Sequence, residues 1–272
     1  MVYMGVHKTM KNKADIAIIG GTGVYDPELI ENAERVKVYT PYGSPSSTIT
    51  IGDYEGLKIA FLPRHGDGHV IPPHMIPYRA NIWALKELGV KRIVASSAVG
   101  SLRMDYEPGH FVLTDQFIDR TKTRKDTFYE GGQIAHVSSA DPVCPQLHDF
   151  FGNHADKLGL TCHKEGTYIC IQGPRFSSRA ESKLFRQWGC DIIGMTMYPE
   201  IILAREAEIC YVSVAMVTDY DVWTDKPVSA AEVIETMEGN SVNFKKLIMS
   251  ALPEISKEMT CDCANALEGA IY

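Results

Sequence analysis

The stretch that most restricts the architecture is Tyr211 to Trp223, YVSVAMVTDYDVW. Apart from Ser213, its first seven residues are apolar, aromatic or β-branched, the pattern of a strand buried on both faces in a mostly parallel sheet. Two carboxylates, Asp219 and Asp221, stand two residues apart where the run ends. In extended chain such positions project to the same side. Open α/β sheets bind ligands at the carboxyl ends of their strands, so this end is a candidate site. A plain turn opened by Thr218 and Asp219 is the competing reading.

The chain has 272 residues, enough for one large α/β domain. A net charge of -7 argues against general nucleic-acid binding, which needs clustered Lys and Arg, but leaves room for a local basic pocket. The first fifteen residues, MVYMGVHKTMKNKAD, lack the apolar core of a signal peptide. No apolar run approaches the roughly 20 residues that span a bilayer, so a cytoplasmic protein is expected. Seven cysteines, at 144, 162, 170, 190, 210, 261 and 263, form no CxxC zinc pattern. Cys170 and Cys210 read as packed thiols. A bridge between Cys261 and Cys263 would be strained and readily reduced.

Asp15 to Ile19 reads as a strand entering Gly20-Gly21-Thr22-Gly23, a turn that lets backbone amides approach an anion. It lacks the third glycine of a dinucleotide fingerprint and the lysine of a Walker A loop. Strands at 47–51 and 58–62 flank a hairpin signal. The second enters Pro63-Arg64-His65-Gly66, the start of a proline-rich loop. Arg64 offers a planar fork of donors and His65 a donor or proton shuttle. Tyr78 to Leu88 reads as a helix stopped by Gly89. A strand at 92–95 empties into Ser96-Ser97-Ala98-Val99-Gly100-Ser101, either an anion-facing loop or a polar turn. His110 to Asp115 is a strand and Asp119 to Gly132 a charged, exposed excursion. Asp141-Pro142 opens a helix toward Leu158. Thr167 to Ile171 is a strand, and Ser178 to Glu181 a capping box that opens a helix to about Trp188. After a short strand at 191–193, Met195-Thr196 precedes a helix to Glu208. A second capping box at Ser229 starts a long helix to about Ile255, interrupted near Pro253.

Strands followed by glycine- or hydroxyl-rich loops thus recur. Thr22, Arg64, His65, Ser97 and Thr196 would converge as a cage for a tetrahedral anion beside Phe176 and the two acids. His65, Asp67 and His69 are conceivable metal ligands, although their spacing fits no common framework.

GGTG at 20–23, PRHG at 63–66, NIWALKELG at 81–89, GPRFSSRAES at 173–182 and MVTDYDVW at 216–223 together resemble the 5′-methylthioadenosine phosphorylase branch of the trimeric purine nucleoside phosphorylase family. The resemblance runs collinearly from about Ile16 to Ile255. It implies one α/β domain with a mixed, partly barrel-like central sheet flanked by helices. Residues 15–256 would form that domain, between a flexible tail at 1–14 and a C-terminal tail at 257–272. The implied reaction is phosphorolysis of 5′-methylthioadenosine, with inorganic phosphate as co-substrate and no metal or organic cofactor.

Carried over residue by residue, the resemblance implies phosphate contacts at Thr22, Arg64, His65, Ser97, Ala98 (through its backbone) and Thr196. Met195 would lie beneath the ribose, with Phe176, Ser177, Asp219 and Asp221 at the base. Ala230, Val233 and Ile234 would form the pocket for the 5′ substituent, and His136, with Val137, would reach it from a neighbouring subunit of a homotrimer or dimer of trimers. Asp219 is the candidate proton donor, its pKa expected to rise from about 3.9 through burial and Asp221. Ala230 is small for its role, which leaves room for a 5′-hydroxyl. The competing readings are a broader phosphorylase acting on adenosine or 6-oxopurine nucleosides, a metal-dependent nucleoside hydrolase or deaminase, and a nucleoside-binding protein without turnover.

Overall fold

The computed structural model describes residues 14–21, 30–225 and 228–272. Two ten-residue strands form its centre. β5 (Arg92–Ser101) and β11 (Cys210–Asp219) pair in parallel from Arg92↔Cys210 to Val99↔Val217. Only the last of the ten β11 residues escapes full burial, as expected of a strand covered on both faces.

β5 has three neighbours because it exchanges one of them along its length. β1 (Ile16–Gly20) runs parallel to it as far as Ala95. Beyond that, β10 (Ile192–Gly194) pairs antiparallel with Gly100 and Ser101. The remaining strands are β2 (Glu31–Val36), β3 (Ile49–Tyr54), β4 (Leu57–Pro63), β6 (Phe111–Leu113), β7 (Gln116–Arg120), β8 (Cys162–His163) and β9 (Thr167–Ile171). Their order is β2-β3-β4-β1-β5-β10-β9-β7, and β11, β6 and β8 branch from β5. Helices α1 (Tyr78–Glu87), α2 (Pro145–Lys157), α3 (Arg179–Gln187), α4 (Met197–Glu206) and α5 (Ala230–Ala251) flank this mixed sheet. α4 and α5 pack on β11, α1 on α4 and α2 on α5.

Several local expectations hold. Glu55 and Gly56 both take positive φ, 48° and 78°, the geometry of a two-residue hairpin turn. Ser178 accepts from the Glu181 amide while Glu181 accepts from the Ser178 amide, a complete capping box. α5 gives way at Leu252–Glu254 to a 3-10 turn containing Pro253.

Others are corrected. Ser96 to Ser101 is neither loop nor turn but the second half of β5, because small residues keep their pairing with β11. α2 starts at Pro145, not Pro142: Val143 and Cys144 are buried, and the Cys144 amide bonds to the Tyr211 carbonyl. β2 escaped notice because its polar sequence, ENAERV, lies mostly exposed and has no apolar alternation. The Cys261–Cys263 bridge is not present, and all seven cysteines are free thiols.

Gly194 ends β10 where a Cβ would sit 1.9 Å from the buried Tyr168 hydroxyl. That hydroxyl in turn accepts from the Thr196 amide at 3.4 Å. Gly194→Ala is therefore expected to destabilise the fold by about 1–3 kcal/mol through overpacking. Urea denaturation followed by tryptophan fluorescence measures it; an unchanged midpoint would show that Tyr168 yields freely.

Candidate active site

A cavity of about 970 Å³ opens at the carboxyl ends of β1, β4, β5 and β11. Its wall includes Arg64, His65, Ser97, Ala98, Thr196, Phe176, Ser177, Met195, Asp219, Asp221, Val233 and Ile234. Ala230, the exposed first residue of α5, is not part of the wall. His136 is elsewhere: its amide bonds to the Ala270 carbonyl and its ring stands edge-on to Tyr272. Thr22 lies outside the described residues.

At one side of the cavity Arg64, only 2% exposed, is locked in place. Its Nε and Nη2 each donate to Glu200 at 2.7 Å, and Nη1 donates to the Ser96 carbonyl at 2.7 Å. The Tyr211 hydroxyl donates to the same glutamate at 3.0 Å. A guanidinium has five N–H groups, so two remain for a ligand. Glu200 was missed in the sequence, where a carboxylate set against Ile201 and Ile202 is its signal. The hydroxyls of Ser96 and Ser97 are buried without a hydrogen-bond partner among the described residues. Such groups cost about 1–3 kcal/mol each unless a ligand pairs them, which suits an anion.

His65 has its Nδ1 2.8 Å from the Ile71 carbonyl and its ring stacked on His69 at 4.1 Å. Burial, with Arg64 alongside, lowers its pKa from 6.5 to about 4. Near neutral pH it is uncharged, Nδ1 donates to Ile71, and Nε2 is left as an acceptor. Among the described residues His65, Asp67 and His69 are not gathered as a metal-holding group, and the Asp67 oxygens bond to Arg35 (2.5 Å) and Ser47 (2.9 Å).

The acid pair terminates β11. Register slips between Val217 and Asp219, so that Asp219 rather than Thr218 faces Gly100. Asp221 then turns back in the left-handed region with φ 49°, and its amide donates to Asp219 Oδ1 at 2.8 Å. Both carboxylates line the cavity, although a turn and not extended chain brings them together. Burial raises the Asp219 pKa, and the charge of Asp221 adds to this against the bonds from Thr218 and the Asp221 amide. The Ser177 hydroxyl lies 2.9 and 3.2 Å from the two Asp221 oxygens and donates there. Gly100 is required here, since a Cβ would fall 2.9 Å from Asp219 Oδ1 and 3.3 Å from Asp221 Cβ. Ser97 and Gly100 are three residues apart on β5, about 10 Å, so the unpartnered Ser97 hydroxyl and the acids are separated by roughly the length of one sugar.

Residues 15–253 match the model of the phosphorylase superfamily. The chain is 58% identical to the S-methyl-5′-thioadenosine phosphorylase of Thermofilum pendens, over 95% of this chain and 99% of that protein. It is 56% identical to that of Nitrosopumilus maritimus, over 97% and 100%. Its fold is similar to that of a methylthioadenosine phosphorylase from an antarctic soil metagenomic library, with TM-score 0.92 and 47% identity over 96% and 93% of the two chains. It is also similar to the Schistosoma mansoni methylthioadenosine phosphorylase in complex with adenine, with TM-score 0.89 and 36% identity over 94% and 97%. The chain belongs to the phosphorylase superfamily.

One residue of this phosphorylase chain was misread altogether. Arg124, placed by its sequence in an exposed charged excursion, is half-buried and spans two cavity loops. Its Nη1 donates to the carbonyls of Met195 (2.9 Å) and Tyr198 (2.5 Å), and its Nη2 to that of Gln172 (2.8 Å). Charge-assisted bonds of this kind are the strong ones, and here they fix Met195 and Thr196 against the loop that carries Phe176 and Ser177. No local sequence pattern announces such a contact, because its partners are backbone carbonyls.

Two outcomes follow from these geometries. The lowered His65 pKa means that the unfolded chain takes up its proton first. Stability is therefore fully present above pH 6.5 and lost as pH falls toward about 4, by on the order of 3 kcal/mol. In phosphate-free denaturation series His65→Gln should flatten that slope, and an unaltered slope would place the titration elsewhere. Arg124→Met should lower kcat/KM about 10²-fold through misplaced loops with the far-UV spectrum unchanged, and Arg124→Lys should recover part of it. Loss of stability alone, with kcat and KM intact, would reduce Arg124 to a packing role.

Proposed function

We propose that this chain catalyses phosphorolysis of 5′-methylthioadenosine to adenine and 5-methylthioribose 1-phosphate. The supporting observation is that one cavity holds an anion cradle (Arg64, Ser97, Thr196) about one sugar away from an acid pair, the buried Asp221 and the part-buried Asp219. Inorganic phosphate is the co-substrate, and neither metal ion nor organic cofactor takes part in the chemistry.

Phosphate, held by the two spare N–H groups of Arg64 and by the serine and threonine hydroxyls, attacks C1′ of the ribose. A neutral His65 accepts a hydrogen bond from a protonated phosphate oxygen through Nε2. As the C1′–N9 bond breaks, its electron pair moves onto the purine. Asp219, inclined by burial to hold its proton, donates at N7 and neutralises that charge, a step worth about 10²–10⁴ in rate. Asp221 accepts from the 6-amino group, and Ser177 holds it in position. A 6-oxo purine would present an acceptor there, leaving buried groups mismatched at about 1–3 kcal/mol each.

Val233 and Ile234 on α5 offer the apolar wall for the 5′-methylthio group. Ile234 is 64% exposed and Phe176 41%, so a neighbouring subunit is needed to cover both. In a homotrimer, or a dimer of trimers, His136 and Val137 of the next chain supply that cover. Among the described residues no helix is long and apolar enough to cross a membrane, in keeping with work in the cytoplasm.

Adenine release from methylthioadenosine, followed with and without inorganic phosphate, tests the reaction: release that persists unchanged without phosphate would mean hydrolysis. Asp219→Asn should reduce turnover of methylthioadenosine by about 10²–10⁴ and gain measurable activity on inosine. Full activity on methylthioadenosine would remove Asp219 from the proton step.

A further inference from the structure

Thr218 stands at the slip near the end of β11, buried on the cavity wall between two acceptors. Its Oγ1 lies 2.7 Å from Asp219 Oδ2 and 3.2 Å from the Val99 carbonyl oxygen. A hydroxyl has one hydrogen to give, so it donates to one of the two at a time. The residue before it is fastened from three sides. The Val217 carbonyl accepts from the Gly109 amide at 2.9 Å and from Asn240 Nδ2 at 3.0 Å, and the Val217 amide donates to the His110 carbonyl at 3.0 Å. A backbone so held leaves the turning of the O–H bond as the easiest motion of the group.

The other carboxylate oxygen decides which acceptor is used. Asp219 Oδ1 accepts from the Asp221 amide at 2.8 Å. The carbonyl oxygen of an acid is a better acceptor than its hydroxyl oxygen, so the proton of a neutral Asp219 belongs on Oδ2. Two hydrogens cannot both point into the 2.7 Å gap between Oδ2 and Thr218 Oγ1. We propose that Thr218 is a positioning residue that follows the proton of Asp219. Its hydrogen turns to the Val99 carbonyl while Oδ2 is protonated, and turns back to Oδ2 once the base has taken that proton. This rests on the proton step assigned to Asp219 above. The Oδ2–H bond breaks as the N7–H bond forms, the electron pair stays on Oδ2, and Thr218 keeps its own hydrogen throughout.

The gain lies in the second position of the hydroxyl. A hydrogen bond to a charged acceptor is roughly twice as strong as one between neutral partners, so the bond from Thr218 favours the carboxylate over the acid. Burial holds the Asp219 pKa up, and Thr218 and the Asp221 amide work against it. Enclosure thus keeps the proton in place, and the hydroxyl eases its departure. Of the charged groups that face Asp219, Asp221 on the same turn and Glu232 on α5 both oppose ionisation. α5 also places Glu238 and Lys245 on the cavity wall. β5 and β10 present the uncharged Gly100 and Ile193, and Arg179 of α3 donates to the carbonyls of Val222 and Thr224.

Thr218→Val keeps the branching of the side chain and removes the hydroxyl, whereas Thr218→Ser keeps the hydroxyl. Thr218→Val should lower kcat on methylthioadenosine about 10-fold with KM little changed, and should move the high-pH limb of the kcat profile to higher pH. Thr218→Ser should retain both the rate and the limb. In an Asp219→Asn background, Thr218→Val should cost nothing more. The titration of Asp219 is read without turnover by carbon-13 NMR of the aspartate carboxyls in the intact protein, its signal being the one absent from Asp219→Asn. That midpoint should rise in Thr218→Val and hold in Thr218→Ser; Thr218→Ala replaces Thr218→Val if the latter does not fold. An unmoved midpoint, or equal losses in Thr218→Val and Thr218→Ser, overturns the proposal. Absence of phosphate-dependent adenine release from the unaltered chain would instead sink the phosphorolysis reading, and the NMR midpoint would still decide whether Thr218 serves Asp219.

Discussion

The buried ion pair between Arg64 and Glu200 is the constraint on which the site rests. Both side chains are almost wholly excluded from water, and two parallel N–H···O bonds of 2.7 Å join them. Taking either partner away would leave an uncompensated buried charge, at about 3–5 kcal/mol. Pairing spends one edge of the guanidinium on Glu200 and one N–H on the Ser96 carbonyl, so the rest is aimed rather than free. The loop after β4, the middle of β5 and the first turns of α4 are therefore positioned by one cation. Thr196, Ser97 and His65 sit immediately beside those anchor points.

The acid pair depends on a different device, a defect in the sheet. A regular β11 would point Thr218 and Tyr220 where Asp219 and Asp221 are needed. The slip after Val217, together with a glycine at position 100, allows Asp219 to approach the backbone of β5 while its neighbour folds back over it. Bulges are frequent next to active sites because they re-aim a side chain. A carboxyl so enclosed loses hydration, and its pKa rises for that reason first. The same enclosure lowers that of His65. Burial thus drives both groups toward their neutral forms.

Most of the architecture was legible because burial writes itself as apolar runs and turns write themselves as glycine and proline. β11, β9, α1 and the Ser178 capping box all fall close to where pattern alone puts them. The site was legible through loops rich in hydroxyls and charge at strand ends, and eleven of its assigned residues lie on the cavity wall beside Met195. What stayed hidden depends on tertiary partners. Glu200 is visible only as an odd charge among isoleucines, Arg124 binds carbonyls that every residue carries, and Ser96 to Gly100 looks like a turn until β11 lies beside it. Cys144, Cys210, Cys261 and Cys263, whose sulfurs lie within 4.8 Å of one another, are the extreme case: they are separated by up to 119 positions, from Cys144 to Cys263, and no local spacing could have joined them.

β11 carries both ends of this organisation. Its first residue belongs to the sulfur cluster, its second supplies the hydroxyl that steadies Glu200, and its last is the candidate proton donor. A strand buried along nearly its whole length transmits displacement poorly sideways, because close-packed interiors have few voids into which it could relax. The position of its carboxyl end is set where it meets Gly100, and the register slip there decides whether Asp219 lines the cavity. The bulge at Thr218 confines adjustment to the last two residues. The C-terminal segment, held by Arg92 and Gln146, and the cavity at the far end thus share one rigid element.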